Sequence, residues 1–195
     1  VIKEVRSAHL TPTNRRSDDV VAQEIHQAFA GTVIPLLDQP ASQLNVYHPS
    51  KDFWSSRQDD RQAIVQCRAG DSRILFLESS SFLAQSALRD STATSDLQSD
   101  VLVLSWSEFD PPVTRELLKR IAPKIVIIRA PQPRVSTENV AATLNLIEDA
   151  GALALETSDH GALTLDCYDD RLVVKGHISG EVFTLERADH LVLEE

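Results

Sequence analysis

The hydrophobic rhythm of the chain changes after residue 77. Up to that point one-sided apolar faces recur, as at Ala63, Val65 and Cys67, which share one face. Strands are predicted over 43–47, 62–68 and 73–77. The turn Ala69-Gly70-Asp71-Ser72 joins the last two into a β-hairpin. Upstream, 1–5 and 32–37 read as short strands and 11–14 as a turn. Ser17 reads as the N-cap of a helix whose positions Val20, Val21, Ile25, Ala28 and Phe29 share a face and which Gly31 ends. His48-Pro49 closes the strand over 43–47, and a polar loop over 50–61 carries Phe53-Trp54.

Beyond residue 77 the apolar residues come in continuous runs. Residues 100–104 and 124–128 read as strands buried on both faces, the pattern of parallel strands covered by helices. Helices are predicted over 83–88, then after Pro111-Pro112-Val113-Thr114 with Leu117, Leu118 and Ile121 on one face, and over 137–150, stopped by Gly151. The tail returns to strands at 152–155, 161–167, 172–175 and 181–185, with Asp169-Asp170 as a hairpin tip. These elements predict one α/β domain over 1–195: a mixed sheet with flanking helices, its hairpin and carboxy-terminal strands surrounding the two parallel strands.

Charge narrows the function classes. The 29 acidic residues outnumber the 19 basic ones, giving a net charge of -10. That field repels nucleic acid, and Arg15-Arg16 and Lys119-Arg120 are pairs rather than patches. The two cysteines, Cys67 and Cys167, alternate with aliphatic residues and read as reduced, buried core thiols. They make neither a zinc signature nor a disulfide framework. Apolar runs stop at about five residues, where a membrane-spanning helix needs about 20. Because the chain starts at Val1 and contains no methionine, it is expected to be a piece of a longer product, with any signal or membrane segment upstream.

Candidate chemistry is sparse. His9, His26, His48, His160, His177 and His190 show no HxH, HxxH or HxxxH pairing, so they read as surface or capping residues rather than metal ligands. Asp18, Asp19 and Glu24 are close in sequence, but helix-dipole complementarity explains Asp18 and Asp19 without any ion. "ESSSF", Glu78 to Phe82, offers hydroxyls and a carboxylate at a strand end but lacks a GxSxG elbow, and its serines suit a helix cap. Asp159-His160-Gly161 pairs an acid with a base but has the form of a turn. Most suggestive is "DVLVLSWSEFD", residues 100–110, because ligands of α/β proteins bind at the carboxyl ends of strands.

Four segments carry a resemblance: "VYHPSKDFWSSRQDDRQAIVQCRAGDSRILFLESSSF", "LQSDVLVLSWSEFD", "LLKRIAPKIVIIRAP" and "LIEDAGALALETSDHGALTL". In this order, covering roughly residues 15–175, they resemble the metallo-β-lactamase-like domain at the end of ComEC, the channel protein of bacterial DNA uptake. The resemblance implies an αββα fold, here a half or a degenerate version of it. In that family the second hairpin strand ends in a metal-binding acid, and the strand beginning "DVL" ends in "GHHGS" or "GQHGS". Here Ser79, beside Glu78, takes the acid's place, and Trp106 and Ser107 take the place of histidines. The family's His-Pro-His segment falls near 133–139, which holds no histidine. Its HxHxDH motif belongs upstream of Val1.

The resemblance thus implies a vestigial site made of Glu78, Ser79, Trp106, Ser107, Glu108 and Asp110, with no catalytic residue, no bound metal and no cofactor. A di-metal hydrolase needs imidazole and carboxylate ligands, which indole and hydroxyl groups do not replace. The expected function is a metal-free structural or binding module associated with DNA uptake, a soluble domain on the extracytoplasmic side of a bacterial membrane protein. Its expected partner is its own membrane-embedded or upstream domain, or a second copy covering an open sheet face; DNA is disfavoured by the charge. Two alternatives are a metal-dependent nuclease or phosphoesterase completed by upstream ligands, and an unrelated α/β binding or regulatory domain.

Overall fold

A computed structural model of the chain describes residues 31, 33–35, 42–56, 59–77, 81–106, 111–129, 135–186 and 191–194. The strand expected over 1–5, the turn at 11–14 and the helix opened by Ser17 lie outside the described residues. So do five of the six vestigial-site positions: Glu78, Ser79, Ser107, Glu108 and Asp110.

Alternation builds the first half of a sheet. Along β2 (Ser42–His48) buried and half-buried positions alternate through the whole strand, as a strand with one face on a core requires. It lies antiparallel between β1 (Val33–Pro35) and β3 (Ile64–Ala69). At Gly70, whose φ of 60° suits glycine, β3 turns back into β4 (Ser72–Leu77). The sheet then changes character. Strands β5 (Val101–Leu104), β6 (Ile125–Ile128) and β7 (Leu153–Glu156) add parallel to β4 and to one another, completing a seven-stranded mixed sheet in chain order.

Helices connect the parallel strands. They are α1 (Phe82–Ser91), the single turn α2 (Thr94–Leu97), α3 (Arg115–Ile121) and α4 (Thr137–Asp149). Ser81, Thr114 and Ser136 each cap a helix by accepting the amide three residues on, at Ala84, Leu117 and Asn139. Leu88, Leu117, Leu118, Ile121 and Ile147 from these helices pack on Leu75, Leu77, Leu102, Leu104 and Val126 of the sheet.

The tail departs from the expected arrangement. Only β7 joins the parallel strands. After the one-turn helix α5 (Thr157–His160), the strands β8 (Leu163–Cys167), β9 (Arg171–Gly176), β10 (Val182–Glu186) and β11 (Leu191–Glu194) form a separate antiparallel sheet. The connections explain the split. Helix α4 is a crossover that returns the chain parallel to β6, whereas short turns after β8 and β9 permit only antiparallel neighbours. Leu172, Val174, Phe183 and Leu185 of this sheet pack on Val65, Val101, Ile125 and Ile127 of the larger one.

The described residues therefore form three layers: helices, seven-stranded sheet, four-stranded sheet. The expected open sheet face is thus covered from within the chain. Cys67 is buried as predicted, but Cys167, last in β8, is only half-buried. Among the described residues no helix is long and apolar enough to cross a membrane.

Candidate functional site: the carboxyl edge of the large sheet

One edge of the large sheet collects the strand ends on which chemistry was expected. Because β2 runs parallel to β4, the row His48, Ile64, Leu77, Leu104, Ile128, Glu156 lies across that edge. The described residues 49–56, 59–61, 105–106, 111–114 and 157–160 leave from it or arrive at it.

Trp106, the one vestigial-site position within the described residues, is a core residue. It is 4 % exposed and packs with Leu104, Val113 and Leu117. Its Nε1 donates to the carbonyl of Arg129 at 2.7 Å, just past the end of β6. The Arg129 amide in turn donates to the carbonyl of Leu104. An indole N–H is a donor with no lone pair to offer a metal, and this one is already committed. The ring fills the space beneath the β5 exit and ties that exit to β6.

The other end of the same segment is fixed from the helix side. Gln85, buried on α1, donates through Nε2 to the carbonyl of Pro111 at 3.0 Å and accepts the amide of Thr114 through Oε1 at 2.8 Å. Pro112 and Val113 are buried beside it. Ser105, just before Trp106, is 5 % exposed, and its Oγ has no hydrogen-bond partner among the described residues.

The loop after β2 is held by its own polar clasp. His48 is 2 % exposed, and its Nε2 donates to the carbonyl of Asp60 at 2.7 Å, which assigns the proton to that nitrogen. Ser55 donates to the Asp60 carboxylate. Phe53 meets the His48 ring edge-on, with centroids 4.4 Å apart. Burial depresses the His48 pKa below its ordinary value of 6.5, so the imidazole is neutral and structural. Trp54, between these anchored residues, is 84 % exposed.

His160 holds the far corner. Its Nδ1 lies 3.0 Å from Ser179 Oγ and 3.0 Å from Glu181 Oε2, and its ring packs edge-on to Phe183. Ser179 Oγ also accepts the Glu181 amide. A serine nucleophile and an orienting acid sit on opposite imidazole nitrogens. Here both crowd one nitrogen, so the cluster latches α5 to the turn between β9 and β10. The sequence read 159–161 as a turn, and the structure makes it the end of a helical turn. His177 likewise bonds Thr164 at 2.9 Å.

These side chains do not fit a di-metal centre. Among the described residues, no group of three or more His, Cys, Asp or Glu side chains is placed to hold a metal ion. At position 106, where the resemblance sets an imidazole, this chain has an indole whose N–H donates to the Arg129 carbonyl. Comparison with protein-family models finds none that matches the chain, and no curated protein matches it.

Proposed function

We propose that the chain is a metal-free, catalytically degenerate domain of the ComEC type, a structural or binding module associated with bacterial DNA uptake. The observation that carries this reading is Trp106. Where the resemblance places a metal-binding histidine, this chain has a buried indole whose only polar hydrogen is spent on Arg129. A hydrolase that loses ligands gains nothing by keeping an open pocket, and filling that space with a core aromatic turns a reaction centre into a scaffold.

Stacked sheets with helices on one outer face support a metallo-β-lactamase-like fold, as part of an αββα sandwich. On this reading the domain sits on the extracytoplasmic side of a membrane protein. It works by contact with the membrane-embedded or upstream part of its own chain, or with a second copy. With both faces of the seven-stranded sheet covered internally, such contacts fall on the sheet edges and loops. The 84 % exposed Trp54 is the aromatic best presented for one.

Calorimetric titration of the chain with zinc and with manganese, paired with a DNA hydrolysis assay, tests the reading. The expected result is no saturable heat at micromolar metal and no cleavage. Saturable micromolar binding that Glu78→Gln abolishes, accompanied by cleavage of DNA, would overturn it in favour of a metal-dependent nuclease.

A further inference from the structure

Cys67 and Cys167 are far apart in the chain and close in the fold. Cys67 belongs to a row that crosses the large sheet from Leu44 through Ile74, Val101 and Ile125. Cys167 ends β8 opposite Leu172, which lies opposite Leu185. Leu172 and Leu185 line a cleft of about 210 Å³ together with Ser72, Asp100 and Lys124; the last two directly precede Val101 and Ile125 of the Cys67 row, and Ser72 lies two residues before its Ile74. Both cysteines therefore occupy the same end of the inter-sheet space and belong to one hydrophobic cluster. Both are thiols. Their proximity also registers electrostatically, because Cys167 adds to burial in pushing the Cys67 thiol up to about 11.

We propose that Cys67 and Cys167 form a redox pair, an inter-sheet disulfide that a low-molecular-weight disulfide closes and a low-molecular-weight thiol opens. The half-buried Cys167 reacts first. Its thiolate attacks one sulfur of the reagent, forming a mixed disulfide and releasing one reduced thiol, which takes up the proton Cys167 gave up. Cys67 then loses its proton and attacks the Cys167 sulfur. The protein S–S bond forms, the mixed disulfide breaks, and a second reduced thiol leaves with that proton. Two protein thiols are oxidised and one reagent disulfide is reduced.

Closure has a geometric requirement. A disulfide needs its Cα atoms within about 7 Å, whereas stacked sheets lie about 10 Å apart. The end of β8 must therefore move inward. Its position at a strand end, next to the exposed hairpin tip at 169–170, makes that movement easier than it would be in mid-strand. The high Cys67 pKa makes the second step slow and base-accelerated, by about tenfold per pH unit below pH 11.

The test is to incubate the folded chain with glutathione disulfide near pH 8 and map its peptides without reduction. The expected product is a monomer in which the Cys67 peptide is joined to the Cys167 peptide. It should melt about 10 °C higher, because closing a ring of about 100 residues restricts the unfolded chain. Dithiothreitol should reverse the shift, and Cys167→Ala should show none. Glutathione left on Cys167 with Cys67 still reduced, a dimer linked through Cys167, or two unreacted thiols would each overturn the proposal.

Discussion

At the scale of single residues, Trp106 and His48 show how burial converts reactive-looking positions into structural ones. Truncating Trp106 to alanine removes a large core side chain and is expected to cost about 3–5 kcal/mol in urea denaturation. Trp106→Phe keeps the ring but takes the donor from the Arg129 carbonyl, at a cost of about 1–3 kcal/mol. Trp106→His, which restores the family's residue type, should lower stability without creating micromolar zinc affinity. His48 makes a pH prediction. The unfolded chain takes up a proton at this residue near pH 6.5, while burial keeps the folded imidazole neutral. The stability this contributes is complete above pH 6.5. It is lost as the pH falls toward the lower folded-state pKa, with a slope of at most about 1.4 kcal/mol per pH unit. In urea titrations between about pH 5 and 6.5, His48→Gln should show a shallower loss than the parent chain. An unchanged slope would assign the titration to another group.

At the scale of elements, the short helix α2 depends on one buried amide. Gln66, fully buried on β3, shares its two amide hydrogens among the carbonyls of Asp96 and Gln98, at 3.1 Å each, and Ser99 Oγ at 2.9 Å. It accepts from the Tyr47 hydroxyl and from Arg68 Nε. A four-residue helix has almost no stability of its own, so this network decides where the chain runs between α1 and β5. Gln66→Leu is expected to cost about 2–4 kcal/mol, because several buried partners lose their bonds together. Amide hydrogen exchange over 94–99 should accelerate more than exchange in β5. The longer helices carry their own start signals, and Ser81→Ala should cost α1 about 1 kcal/mol.

At the scale of the whole molecule, the acidic balance governs encounters. With a net charge of -10, the chain should show no saturable binding to a fluorescent DNA duplex by anisotropy at physiological salt. Tight binding that weakens steeply with added salt would reveal a basic surface that the charge totals conceal. The expectation of an uncovered sheet face failed for a related reason of scale. Residues 163, 165, 172, 174, 183 and 185 show the same one-sided apolar pattern whether their strands extend the large sheet or stack on it. Only the second arrangement buries that pattern against Val65, Val101 and Ile125.

The sequence by itself determined the local elements, because their causes are local. Alternation marks β2, continuous apolar runs mark β4, β5 and β6, Ser81, Thr114 and Ser136 start helices, and Gly70 and Gly151 end segments at positive φ. It also showed that the six histidines lack close pair spacing, since pair spacing is visible without a fold. Tertiary structure alone decided what depends on distant partners. Packing between sheets brought Cys67 and Cys167 into one hydrophobic cluster, the pairing of β5 with β6 set Trp106 over the Arg129 carbonyl, and the turn after β9 carried Ser179 and Glu181 to His160. No local pattern encodes these meetings, because each is fixed by which faces exclude water together and not by either residue's neighbours in the chain.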